Sequence, residues 1–436
     1  MKIAIIGAGQ QGTSQGLAFA RLDGVEQVVF YDINPDNKDQ VFEKAKEYGV
    51  DASKLTFTAS QADAVRHADV IGINTPMSSF KDVVARMAPI VKDGVIIYDN
   101  GSGKVRAMAE IQEGLGDSSG RVNYFGAHFF VGRAGTSPVF ADINMYQGQT
   151  ATIMGQDGPA KDKLISLFKD IGIKNVRTDL SPEDHDESLG LFSHHNTFAV
   201  TALMLAFPQV QINGKPIQIG RFLSSTRVAA HGKDGATFWG PIANDNANAI
   251  VEAAKIFSGK LEDVKTALRQ NSVTHLKELL GRGFNYASGI TPDRQFEGLE
   301  GDLHDFETLA IPSESEGEYA ASHLAVPIVF ATASALTAAE YEERGGQPFT
   351  SIGNSSFHDS LRPVRDNFEK AADFIWQNKV NVRAALEKFQ RHHSEIKDAI
   401  ADRRIDDIIS CIEESHRLRT QLPDAPKAPR AEFAIG

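Results

Sequence analysis

Over the first ~180 residues, short β-branched apolar runs alternate with stretches in which apolar positions recur every three or four residues. KIAIIG, QVVFYD, VIGIN, GVIIYD and NYFGAHF are strand candidates, with TATIMG and NVRTD closing the sheet. Strands alternating with helical patterns mark βαβ units, so a parallel sheet with covering helices is expected over 1–180. After Asp179 the texture becomes long amphipathic segments such as NAIVEAAKIFSGKLEDVKTALRQNSVTHLKELL, which predict an all-α second half. Residues 281–318 are rich in Gly, Ser, Pro and acid and carry no period. The expected organisation is therefore an α/β domain (1–180), a helical domain (181–290), a connector (291–318), a second helical region (319–420) and a proline-bearing tail (421–436).

At 436 residues the chain exceeds what one core usually organises, and 42% hydrophobic with 23% charged residues is ordinary globular composition. A net charge of -12, with no long run of Lys and Arg, argues against nucleic acid as a partner. The first apolar stretch, Ile3 to Ile6, is too short for a signal-peptide core, and no later run of ~18 residues is free of charge and Pro. No membrane association is expected. A single cysteine, Cys411, cannot form an internal disulfide, which fits a reducing, cytoplasmic compartment.

GAGQQG (Gly7, Gly9, Gln10, Gln11, Gly12) follows the first strand directly and opens the amphipathic segment TSQGLAFARL. Gly7 permits a tight turn, Gly9 lets the backbone approach a pyrophosphate, and Gly12 allows close packing of helix on strand. The helix N-terminus then faces the phosphate charge. Asp32 ends the second strand twenty residues after Gly12 (32 − 12 = 20), where a carboxylate accepts hydrogen bonds from a ribose 2′-hydroxyl. Strand, turn, helix and distal acid together predict a Rossmann-type domain binding NAD, since a 2′-phosphate would meet the uncompensated Asp32 charge. Thr75 and Pro76 follow the VIGIN strand and are cofactor contacts or an ordinary strand-end turn.

Three polar clusters sit where strands end or helices begin: DNGSGK (Asp99 to Lys104), GAHFFVGRAG (Gly126 to Gly135) and EDHDESLGLFSHH (Glu183 to His195). Taken alone, His128 inside an apolar run reads as a satisfied core histidine, and Ser102 on a Gly-flanked loop as a turn residue. No metal site is expected. The succession GAGQQG, DNGSGK, GAHFFVG, EDHDESLGLFSHH, STRVA and FWGPIANDN, from residue 1 to about 280, resembles the prephenate/arogenate dehydrogenase family of tyrosine biosynthesis. The resemblance implies NAD-dependent oxidative decarboxylation of prephenate or arogenate. It places His128 on the substrate hydroxyl with Ser102 beside it, Arg227 on a substrate carboxylate, and Ser193, His194 and Trp239 among the substrate-binding residues.

Some positions depart from the family pattern. Phe129 stands where Pro is usual, Ala134 where Glu is usual, and Ser193-His194-His195-Asn196-Thr197 replaces Ser-His-Leu-Pro-His, so a substrate-contacting His is lost at Thr197. A dehydrogenase of another carboxylate-bearing alcohol, or a non-catalytic NAD-binding sensor, therefore stays open. The chain also continues well beyond residue 290. DFIWQNKVNVRAALEKFQRHHSEIKDAI resembles the family's terminal helices, with Trp376 and Asn378 in the places of Trp239 and Asn246, and Ser322-His323 echoes Ser193-His194. The offsets, 322 − 193 = 129 and 378 − 246 = 132, differ by three, which one short insertion explains, and point to a degenerate second copy of the helical domain, with an unrelated helical extension as the alternative. That copy would take the place of a partner subunit, giving a monomer with an internal pseudo-dimer, with a homodimer as the alternative.

Overall fold

The computed structural model describes residues 1–131, 136–207, 211–212, 215–216, 235–290, 326–346 and 368–420. Two compact units divide between Asp186 and Glu187. The expected connector and tail, and with them Arg227, Ala134, Ser322 and His323, lie outside the described residues.

In the first unit, the β-branched runs bounded by turn residues become one eight-stranded sheet in the order β3-β2-β1-β4-β5-β6-β7-β8. The strands are β1 (Lys2–Ile6), β2 (Gln27–Tyr31), β3 (Leu55–Thr58), β4 (Val70–Ile73), β5 (Ile96–Asp99), β6 (Asn123–Phe129), β7 (Thr150–Met154) and β8 (Asn175–Arg177). Every pairing is parallel except β6 with β7. Within β1, Ile3 and Ile5 face one core and Ala4 and Ile6 the other, as expected for a parallel sheet covered on both faces. The seven expected strands form. The eighth, β3, escaped the pattern because LTFT is short, half threonine, and buries only Leu55 at the sheet edge. Helices α1 (Gln10–Ala20), α2 (Asn37–Glu47), α3 (Gln61–Val65), α4 (Phe80–Met87), α5 (Val105–Leu115) and α6 (Pro159–Asp170) make the connections. Order reverses at β1, which pairs with β2 on one side and β4 on the other. The crevice at the carboxyl ends of β1 and β4 is where such a sheet binds ligands.

Among its described residues the second unit is helical apart from one short antiparallel pair, Gln211–Ile212 with Lys215–Pro216. A helix straddling the division, α7 (Pro182–Leu189), passes through one π-helical turn, Gly190–His195, into α8 (Asn196–Ala206). There follow α9 (Gly235–Asp245), α10 (Ala247–Arg269) and α11 (Val273–Ile290), then α12 (Val326–Glu343), α13 (Phe368–Gln377), α14 (Lys379–Ala401) and α15 (Ile405–Thr420). α10 and α14 are each 23 residues long and start 132 residues apart (379 − 247), as do α11 and α15 (405 − 273). Local geometry repeats with the same offset. Asn246 (φ -113°, ψ 27°) and Asn378 (φ -107°, ψ 22°) precede the long helices, and Asn271 (φ 53°) and Arg403 (φ 55°) are the left-handed residues that follow them.

Packing between the two series is reciprocal. α9 lies on α15 and α13 on α11, α8 lies on α14 and α12 on α10, and α10 meets α14 directly. At that last contact Phe257 and Phe389, again 132 apart, are wholly buried with ring centroids 6.2 Å apart at 81°. One continuous apolar core runs through both series, from Phe198 and Leu203 to Leu386 and Ile400.

Candidate functional site

The glycine turn closes on the end of β4. Gly7 has φ +96°, and a Cβ there would stand 2.7 Å from the Asn74 carbonyl, while one on Gly12 would stand 1.9 Å from the Gly7 carbonyl oxygen. Only glycine fits at either position. α1 starts within this turn, at Gln10, with no acidic residue in its first turn and no side-chain cap. Asp32 Oδ2 accepts from the Ala8 N–H at 2.7 Å and Oδ1 from the Asn34 N–H at 2.8 Å, so the carboxylate is tied to the turn and keeps lone pairs for further donors.

Thr75 and Pro76 leave β4 beside this turn, where Ser79 Oγ bonds both Thr75 Oγ1 (2.9 Å) and the Pro76 carbonyl (2.7 Å). The Gln10 and Gln11 side chains point elsewhere. Gln10 Nε2 meets Met145 Sδ at 3.3 Å, and Gln11 Nε2 donates to the Val131 carbonyl at 3.2 Å. At the carboxyl ends of β4 and β5, Asn100 Nδ2 donates to Asn74 Oδ1 at 3.3 Å. Asn74 Nδ2 and Asn100 Oδ1 are buried there without a partner. A bound dinucleotide at this crevice would supply polar groups for both, so the residues present fit NAD.

Beyond β5 the DNGSGK loop is built around a buried ion pair. Lys104 Nζ donates to Asp99 Oδ1 (2.5 Å) and to the Ala127 carbonyl (2.6 Å), and Tyr124 Oη donates to Asp99 Oδ2 (2.7 Å). Burial, with the Asp99 charge beside it, holds the Tyr124 hydroxyl well above its ordinary pKa. These bonds fix the loop to β6 one residue before His128. Ser102 sits on the loop with its Oγ 3.9 Å from Met77 Sδ.

His128 itself is half-buried near the end of β6, its Nδ1 3.1 Å from Nε2 of His185. His185, wholly buried on α7, places its own Nδ1 2.8 Å from Asp186 Oδ1. Asp186 in turn accepts the Lys104 N–H (2.6 Å) and the Val105 N–H (2.9 Å), capping the N-terminus of α5. Burial, then the Lys104 charge, pushes the His185 pKa well below its usual value. The Phe130 ring packs against His128 (centroids 4.9 Å) and His185 (6.1 Å). His185 and Asp186 fall inside the EDHDESLGLFSHH cluster, but sequence reasoning passed over them for the Ser193-His194 pair. An HD pair at a helix start, eight residues before SHH, was the available signal.

In the second unit, His194 lies in the π turn, a feature frequent at functional sites. Its Nδ1 is 3.1 Å from Asn246 Nδ2 and its ring meets Trp239 edge-on at 5.9 Å. Ser193 is buried beside it, and its carbonyl accepts from Thr197 Oγ1 at 3.3 Å. His195 does not take over for the histidine missing at Thr197. It turns into the helical core, Nε2 to Nε2 with His393 at 3.0 Å. Phe129, where proline is usual, is a core residue between Tyr146 and Phe168. Among the described residues no cluster of three His, Cys, Asp or Glu side chains is placed to hold a metal, and no helix is long and apolar enough to cross a membrane.

Residues 23–176 match the family described as prephenate dehydrogenase, nucleotide-binding domain. A cyclohexadienyl dehydrogenase of Zymomonas mobilis is 27% identical over 285 residues, 63% of this chain and 91% of that protein. Two solved structures share the fold. Prephenate dehydrogenase from A. aeolicus, in complex with hydroxyphenyl propionate and NAD+, matches with TM-score 0.53 at 22% identity over 64% of this chain and 95% of its own. Arogenate dehydrogenase from Synechocystis matches with TM-score 0.53 at 18% identity over 67% of this chain and 100% of its own. Nearly the whole of each relative is thus matched within about two thirds of this chain. Over residues 23–176 the chain is thus similar to the nucleotide-binding domain of prephenate dehydrogenases, and its fold is that of the two solved dehydrogenases.

Proposed function

We propose that the protein is an NAD-dependent dehydrogenase that oxidatively decarboxylates prephenate or arogenate in tyrosine biosynthesis, in the cytoplasm. The observation that carries this reading is His128, a half-buried, hydrogen-bonded imidazole near the end of β6, in the same unit as the glycine turn and Asp32. When bound, NAD+ supplies the hydride acceptor. Gly7, Gly9 and Gly12 hold its pyrophosphate and Asp32 its ribose, with Thr75 and Pro76 alongside. His128 accepts the proton of the substrate hydroxyl as the carbinol carbon loses hydride, and Ser102 supports it from the DNGSGK loop. The ketone so formed is vinylogous to a β-keto acid, so carbon dioxide leaves and the ring becomes aromatic without a metal. On the helical unit, Arg227 is the proposed clamp for a substrate carboxylate, with Ser193, His194 and Trp239 as the other substrate residues. Turnover of prephenate and of arogenate with NAD+ and NADP+, followed by nicotinamide absorbance, tests the reading. Absence of turnover on both acids refutes it.

The reciprocal packing and the 132-residue offset support a second proposal about assembly. The helices α12 to α15 are a degenerate copy of α8 to α11 and occupy the place of a partner subunit, so the chain is a monomer in solution. Light scattering on the full chain reads this directly, and a dimer mass would count against it.

A further inference from the structure

We infer that Asp186 and His185 form a directed hydrogen-bond chain that holds His128 as its Nδ1–H tautomer, leaving Nε2 to accept the proton of the substrate. The direction follows from donors and acceptors together with the burial of His185. Asp186 accepts two backbone N–H groups at the start of α5, so toward His185 it is again an acceptor and His185 Nδ1 carries the hydrogen. Its Nε2 then bears the lone pair, provided that His185 is neutral. Burial and the Lys104 charge favour that neutral state. The 3.1 Å contact is a hydrogen bond only if His128 Nδ1 donates across it. Among the described residues Lys104 bonds Asp99 and the Ala127 carbonyl, and Asp99 bonds Lys104, Tyr124 and the Gly101 N–H. An acceptor backed by a carboxylate also stabilises the imidazolium that forms as His128 takes up the proton, an arrangement equivalent to the partner groups that orient catalytic and metal-bound histidines.

His185 and Asp186 are positioning residues, and their function rests on the dehydrogenase reading above. Two variants of the full chain separate the roles. In His185→Asn the shorter amide still reaches Asp186 but withdraws the His185 acceptor from His128 Nδ1. In His185→Gln the amide oxygen lies near the former Nε2 and still accepts from His128. We expect kcat of H185N to fall on the order of 10–100-fold, with KM for substrate and NAD+ changed less than about threefold, and H185Q to recover most of the loss. ¹⁵N NMR of histidine-labelled protein reads the tautomer without any substrate: Nδ1-protonated His128 in the wild type and H185Q, a mixture of tautomers in H185N. An Nε2-protonated His128 in the wild type, or equal kcat in the two variants, overturns the inference. A chain inactive on both ring acids but with the Nδ1–H tautomer intact would remove the reaction and leave the hydrogen-bond chain standing.

Discussion

Acid should loosen the helical unit through His393. This imidazole is 2% exposed, lies among Phe257, Phe389 and His195, and has Ser258 Oγ at 3.5 Å from its Nδ1. Burial first, and then the Lys397 charge, depresses its pKa to about 4. His195 is pushed well below its usual value by burial and by His393. Because the folded pKa lies below the unfolded value of about 6.5, the unfolded chain binds the proton first. Stability from this group is complete above about pH 6.5 and declines as pH falls toward 4, by about 3 kcal/mol in all (2.5 units at 1.36 kcal/mol each) and about 2 kcal/mol by pH 5. The chain's two tryptophans, Trp239 and Trp376, both lie in this unit, so urea unfolding followed by tryptophan emission reports on it selectively. His393→Leu should cost about 1–2 kcal/mol near pH 7.5, where the bond to His195 is lost, yet lose about 2 kcal/mol less than the wild type between pH 7.5 and 5. An equal fall in both proteins would refute the assignment of this acid sensitivity to His393.

Three further outcomes are expected at the nucleotide and substrate groups. Asp32→Ala should weaken NAD+ binding by about tenfold and narrow the preference over NADP+, because it removes both the ribose acceptor and the partner of the Ala8 N–H; titration with the two dinucleotides checks this, and an unchanged preference counts against the site. Gly12→Ala should abolish NAD+ binding in a chain whose helical unit still unfolds normally, since its Cβ would collide with the Gly7 carbonyl oxygen at 1.9 Å; retained affinity would contradict the turn geometry. His128→Asn should lower kcat by on the order of 10²–10⁴ with little change in dinucleotide affinity, and near-normal turnover would return His128 to a structural role.

Strands with a continuous β-branched run, the glycine turn and Asp32 were legible because each rests on a local rule: burial on both faces, a left-handed or sterically closed glycine, an acid at a strand end. β3 was not, since an edge strand needs few apolar residues and LTFT shows only one buried position. The His128–His185–Asp186 chain joins residues 57 apart in sequence, brought together by the fold of α7 onto β6, and no local spacing encodes that. The inward turn of His195 has the same origin, for its partner His393 lies 198 residues away. The expectation of a second helical series rested on two offsets that differ by three, 129 and 132, of which the structure describes only the second pair, Asn246 and Asn378.

In an association of identical subunits about a twofold axis, every contact off the axis occurs twice, and a residue on the axis meets its own copy. The internal pseudo-dimer proposed above, with both halves in one chain, would lift that restriction. The residue 132 positions before His393 is Leu261, wholly buried and apolar, so the His195–His393 contact exists once and has no mirror image. In such a chain each half would be free to drift separately: one could keep groups that face a substrate while the other is selected for packing alone. The first unit, with its single dinucleotide turn, occurs once per chain. Binding of NAD to the monomer proposed above should therefore follow a simple one-site isotherm, without the communication between equivalent sites that a symmetric pair of subunits permits.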